Sequence, residues 1–150
     1  MNFRHFLSVV SLTLTLVLSA SAQQLGTQSP SELWASCAAA MTQRALIQEE
    51  LEKRSASSLH GAIGRYYLLS CAYSSPTAAD AAYSRAREAQ MEAFKQAAST
   101  CKVNSGCIAS FVEQLEGKLL VCAGEQKKRS DDIARVTKSV HDACNVEIKP

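Results

Sequence analysis

The shortages in this chain narrow its function first. Neither sign of charge is in excess: 16 Lys and Arg face 14 Asp and Glu, a formal net charge of +2. That balance argues against a nucleic-acid binder, which normally holds phosphates on a strongly basic face. Proline and glycine are scarce, at 3 and 6 of 150 residues, which excludes collagen-like and low-complexity organisation. No stretch shows the sustained apolar–polar alternation of a half-buried strand, and Val, Ile and Thr are sparse beyond Ala22. With 20% charged and 47% apolar residues, the composition is still that of a folded globular chain, of one domain's length.

Catalytic patterns are also missing. There is no G-x-S-x-G, H-E-x-x-H, P-loop or paired Gly-rich turn. Beyond Ala22 the histidines are His60, beside Gly61, and His141, before Asp142. Each is expected to be a surface imidazole, because a general base needs a partner within hydrogen-bond reach. The acidic run Glu49-Glu50-Leu51-Glu52 splays around a helix and makes a solvated face, not an acid–base pair. Asp131 and Asp132 suit the positive end of a helix dipole. Asn104-Ser105-Gly106 and Asn145-Val146-Glu147 both fail the glycosylation pattern. The expectation is a protein that is not an enzyme and takes no cofactor or metal.

The N-terminus carries the clearest positive signal. Met1-Asn2-Phe3-Arg4-His5 is short and basic, and the run from Phe6 to Leu18 is apolar apart from Ser and Thr. Ala20-Ser21-Ala22 then completes an A-x-A site, so Met1 to Ala22 is read as a secretory signal peptide cleaved between Ala22 and Gln23. The apolar run is too short for a span of about 20 residues. Cleavage would leave the chain from Gln23 to Pro150 and, with Arg4 gone, a net charge of +1. Residues 23–150 are expected to form one helical domain with flexible ends at about 23–29 and 145–150. The expected location is extracellular, or periplasmic in a bacterium, with no stable membrane insertion.

Six cysteines follow the leader: Cys37, Cys71, Cys101, Cys107, Cys122 and Cys144. An even count in an oxidising compartment reads as three disulfides. Zinc is disfavoured, since no C-x-x-C is present and only His141 lies near a cysteine.

Helical signals recur along the chain. Ser29-Pro30-Ser31-Glu32 is a capping box with Pro at the first helical position, and Leu33, Cys37, Ala40, Met41, Ala45, Gln48 and Leu51 follow at helical spacing. Ser55-Ala56-Ser57-Ser58 should end that helix. A second helix is expected over about 59–73, and a third over about 76–100 behind Ser75-Pro76. A fourth should start at Cys107 and stop near Gly124, with Gln126-Lys127-Lys128-Arg129 as exposed linker. A fifth begins at Ser130-Asp131-Asp132 and carries Ile133, Val136, Val140 and Cys144. The predicted fold is all-α: a disulfide-stapled bundle of four to five helices.

In an up-down bundle, Cys37, Cys71 and Cys122 would share one end and Cys101, Cys107 and Cys144 the other, so one bridge must join the groups. Cys107 cannot reach Cys122 across about 22 Å of helix. Of the fifteen connectivities open to six cysteines, the set Cys37–Cys122, Cys71–Cys107 and Cys101–Cys144 meets these conditions.

The spacing C-x5-C-x14-C-x21-C from Cys101 to Cys144 resembles that of the oomycete elicitins, secreted helical proteins that bind sterols. The resemblance covers four cysteines and no side-chain motif. Leu119-Leu120-Val121 stands where elicitins carry a Pro-rich segment, and the last helix here is far more charged. Cys71 to Cys107 is equally similar in spacing to some insect secreted helical proteins. Spacing alone therefore assigns no family.

Two groups of residues remain as candidate sites. Trp34, the only Trp, is read first as closing the core and otherwise as an interface anchor. Adjacent Tyr66 and Tyr67 cannot both face inward on one helix, so one of them and Tyr73 should be partly exposed. These four residues form a candidate contact patch. Lys53-Arg54 and Lys127-Lys128-Arg129, in expected linkers, read first as solvated helix ends, as charge runs usually are, and otherwise as candidate dibasic processing sites with disulfides holding the pieces together. The functional expectation is a secreted, non-catalytic interaction module for an extracellular protein, of the effector, toxin or ligand kind. The alternative is a carrier of a small apolar ligand such as a lipid or sterol, held between helices.

Overall fold

The computed structural model describes residues 28–101, 106–140 and 144. The expected leader, its cut between Ala22 and Gln23, His141 and the 145–150 tail lie outside the described residues. Five helices follow one another: α1 Pro30–Glu50, α2 Ser57–Ala72, α3 Pro76–Thr100, α4 Gly106–Lys128 and α5 Ser130–Val140. No strand occurs among the described residues. The chain is a disulfide-stapled helical bundle.

Local chemistry sets two of the starts. The Ser29 hydroxyl accepts the Glu32 amide, and the Glu32 carboxylate accepts the Ser29 amide in return, with Pro30 at the first turn. Ser75 caps α3 through the Ala78 amide, again ahead of a proline. The start of α2 differs. Its N-cap is Ala56, which has no side chain to accept an amide.

Helix α1 is the hub, packing on α2, α3 and α4. It is buried on most of its circumference: Leu33, Trp34, Ala35, Cys37, Ala38, Ala39 and Ala40 are all interior. A central helix has no polar stripe because neighbours cover every side. Its alanines allow those neighbours close approach. The alanines of α3 do less, since only Ala79 and Ala82 are buried there. The main core joins Leu33, Trp34, Cys37, Tyr66, Tyr67, Leu69, Cys71, Cys122 and Cys144. Towards the other end, Ala40, Ile47, Phe111 and Leu115 meet Phe94 and Leu119.

The bridges correct the expected pairing. Cys37 is bonded to Cys122, Cys71 to Cys144, and Cys101 to Cys107, with Cα–Cα distances of 5.9, 5.8 and 5.6 Å. Cys71–Cys107 and Cys101–Cys144 do not form. The path of α5 is the reason. Only Arg129 separates it from α4, and it stays beside the C-terminal end of α2, where Asp132 accepts a hydrogen bond from the Tyr73 hydroxyl and Ile133 packs on the main core. Cys144 therefore joins Cys37, Cys71 and Cys122 at one end. Cys101 and Cys107 are left to each other across the α3–α4 connection, so no mixed bridge is needed.

A second correction concerns the end of α4. Gly124 does not stop it, and Gln126, Lys127 and Lys128 are helical rather than linker. Glycine costs about 1 kcal/mol in a helix interior. Glu125 offsets much of that by pairing with Lys128 at 3.4 Å and Arg129 at 2.9 Å. Lys127 and Lys128 also suit the negative end of the helix dipole.

Candidate functional site: the outer face of α4

The expected aromatic patch is not a surface. Trp34 is 0% exposed, Tyr66 6% and Tyr67 4%. Both adjacent tyrosines face inward because α2 has neighbours on two sides. Tyr66 stacks on Trp34 of α1, with centroids 5.8 Å apart and planes within 8°. Tyr67 meets Tyr83 of α3 edge-on and donates its hydroxyl to Asp80. Burial and then the Asp80 hydrogen bond push the Tyr67 phenol up to about 12. Tyr73 is half-buried, and burial followed by its bond to Asp132 raises it likewise to about 12. The Trp34 indole N–H is buried with no hydrogen-bond partner. These rings close the core.

The other polar groups are equally occupied with structure. Ser31, Ser70 and Ser74 clasp the start of α1 to the end of α2. The Ser31 hydroxyl donates to Ser74 Oγ at 2.9 Å, and the Ser70 hydroxyl donates to the Ser31 carbonyl at 2.8 Å. His60 is exposed, with Nε2 3.6 Å from Glu49. Arg44 ties the end of α1 to Glu52 at 2.9 Å and to Glu116 of α4 at 3.3 Å. Burial pushes the Lys118 ammonium down from its ordinary value. Among the described residues, no group of three or more His, Cys, Asp and Glu gathers where a metal could bind. Among them, too, no cysteine is free.

The two dibasic segments differ sharply. Lys53 and Arg54 lie in the connection between α1 and α2, and both are exposed. Lys127 and Lys128 are in the last turn of α4, and Lys128 and Arg129 are held by Glu125.

What the structure brings together was not singled out in the sequence. The core side of α4 carries Phe111, Leu115 and Cys122. The opposite side presents Gly117, Leu120, Val121 and Gly124, at positions i, i+3, i+4 and i+7, all exposed. Leu120 is 75% exposed and Val121 47%; with Leu51 they are the exposed large apolar side chains among the described residues. Nothing lies within 4 Å of a Cβ built on Gly117 or Gly124, so the Leu-Val pair stands above a bare backbone surface. Exposed Glu113 precedes it and Lys127 and Lys128 follow it along the helix. These side chains offer no nucleophile or acid–base pair. They offer a small apolar contact with charges of opposite sign at its ends.

Elsewhere the surface depressions are shallow. One follows α3 past Arg87, Glu88, Met91 and Glu92, and another lies at the α4–α5 corner beside Ala123 and Ile133. No helix among the described residues is long and apolar enough to cross a membrane. Comparison with family models, curated proteins and solved structures finds no match to this chain.

Proposed function

We propose that this chain is a secreted, non-catalytic interaction protein that engages an extracellular partner through the outer face of α4. The observation that carries the reading is the Leu120–Val121 pair, adjacent, apolar and exposed on a helix whose other side is already committed to the core. Scattered single apolar side chains are ordinary on a protein surface; these two are adjacent and lie between charges of opposite sign, which supports a contact with a partner. The three bridges support an oxidising location, and export through the Met1–Ala22 leader belongs to the same proposal.

The test is binding of labelled protein to the surfaces of cells from its source and of the cells that source encounters. Saturable binding that is lost in the Leu120→Asp/Val121→Asp variant, with unchanged helix content and melting, is the expected result. Equal binding by the variant would overturn the assigned face. Turnover of a substrate by purified protein that binds no surface would overturn the whole reading.

A further inference from the structure

We propose that the Arg54–Ser55 peptide bond is a proteolytic maturation site, and that its product is a two-chain molecule held by Cys37–Cys122. The enzyme implied is an endoprotease whose acidic specificity pocket takes the Lys53-Arg54 side chains. This inference goes beyond the contact surface on α4 and shares only the secretory route with it.

Accessibility is the first support. Leu51, Glu52, Lys53 and Arg54 are all exposed and none is helical, so the residues on the amino side of the bond are open to an active site. Lys53 has φ of 54°, in the left-handed region that lysine rarely adopts. The ion pairs of the two basic side chains, Lys53 to Glu50 at 3.9 Å and Arg54 to Glu52 at 3.5 Å, lie at the surface and hold them weakly.

The carboxyl side opens from α2. Proteases bind substrate as extended chain, so helix must unwind where the connection is short. The first turn of α2 is more weakly held than those of α1 and α3. Ala56 provides no capping side chain, where Ser29 and Ser75 cap their helices, and Gly61 follows within the next turn. A missing cap costs about 1 kcal/mol and an interior glycine about as much again. Against this stands the burial of Ala56, which is 0% exposed beside Ala45 and Ile63 and must leave that cluster for the bond to enter an active site. The segment is also tied by the Arg54 amide on the Gln48 carbonyl at 3.0 Å and the Gln48 side chain on the Ser55 carbonyl. Both ties are exposed local bonds, of the kind that local opening breaks first.

Topology is the second support. In hydrolysis the Arg54 carbonyl carbon takes the hydroxyl of water, Ser55 nitrogen takes the proton, and the C–N bond breaks. The N-terminal piece carries Cys37, whose partner Cys122 lies 85 residues away in the other piece. The pieces stay covalently joined, and α1 keeps its packing on α2, α3 and α4. In the Lys127-Lys128-Arg129 segment the two lysines are equally exposed, but the backbone is helical through Lys128 and half-buried Arg129 is paired to Glu125 at 2.9 Å, so more helix must unwind there.

Limiting trypsin on the full oxidised chain, read by mass spectrometry with and without reductant, tests this directly. The first product should gain one water, stay whole without reductant and fall into two chains with it, while helix content is retained. The Lys53→Gln/Arg54→Gln variant should lose that first cut by roughly 100-fold or more, since a charged pocket is left unpaired. A first cut after Lys127, Lys128 or Arg129, or pieces that separate without reductant, would overturn the proposal. Expression of the entire chain in a secretory cell that carries a dibasic-cleaving endoprotease separates the two readings. Two-chain protein in the medium supports the maturation, single-chain protein in the medium overturns it, and failure of export strikes the secreted reading and leaves the trypsin result to decide the site.

Discussion

Tyr67 and Tyr73 tie α3 and α5 to α2 and its end with hydroxyls that answer to pH. Tyr67 bonds to Asp80 of α3, and Tyr73 to Asp132 of α5. Burial and these carboxylates raise both phenols to about 12. An unfolded chain ionises its tyrosines near pH ~10. Below that pH both states hold the proton and the contribution is intact. Between about 10 and 12 the unfolded state releases protons that the folded state keeps, so stability falls as pH rises. Melting temperatures stepped through this window should drop, and the Tyr67→Phe/Tyr73→Phe variant should show a shallower slope. An unchanged slope would mean the phenols titrate freely in the folded protein. Acid acts in the opposite sense at the same contact. The Tyr73 hydroxyl, then Arg135, holds the Asp132 carboxyl below its usual range, so its stabilising effect is present above the ordinary carboxylate value and lost as pH falls through the lowered one.

Among the helices, α4 is steadied by ion pairs at its C-terminal end and weakened by two glycines. Gly117 and Gly124 are exposed, have ordinary φ and meet nothing within 4 Å of an added Cβ. Replacing each with alanine should stabilise the protein by about 0.5–1 kcal/mol, by lowering the entropy lost on folding. Thermal melts of Gly117→Ala and Gly124→Ala should therefore rise by a few degrees each; a fall would show that the glycines meet something in solution. The starts of α1 and α3 were legible in the sequence because Ser29-Pro30-Ser31-Glu32 and Ser75-Pro76 are self-contained signals, satisfied within one turn. The end of α4 was not, because Gly124 ends a helix only if little offsets its cost, and the pairs of Glu125 with Lys128 and Arg129 offset much of it. The two tyrosines failed for a different reason. Whether Tyr66 and Tyr67 can both be buried depends on α2 lying between Trp34 and Tyr83, and no local pattern encodes that. Leu120 and Val121 lie inside the expected fourth helix and off its Phe111, Leu115 and Cys122 stripe; that no neighbouring helix covers them depends on tertiary packing, which no local pattern encodes.

The whole molecule is tied unevenly by its bridges. Cys37–Cys122 and Cys71–Cys144 span 85 and 73 residues and pin α1 to α4, and the α2 end to the chain beyond α5. Cys101–Cys107 spans 6 and closes only the α3–α4 connection. A cross-link stabilises chiefly by restricting the unfolded chain, and the restriction grows with the logarithm of the loop. On that relation the two long bridges contribute about 4.5 kcal/mol each and the short one about 2 kcal/mol. A single domain has a total stability of about 5–15 kcal/mol, so losing either long bridge removes a large part of it. Paired Cys→Ala variants measured by denaturant unfolding should rank accordingly, with Cys101→Ala/Cys107→Ala the mildest and full reduction lowering the melting temperature sharply. The long bridges also bury their sulfurs, with Cys37, Cys71 and Cys122 at 0% exposure, so their removal adds a packing defect to the entropic loss. If the short-bridge variant proved the least stable of the three, loop entropy would not be what the bridges supply, and the Cys101–Cys107 link would have to hold α3 and α4 together in the folded state.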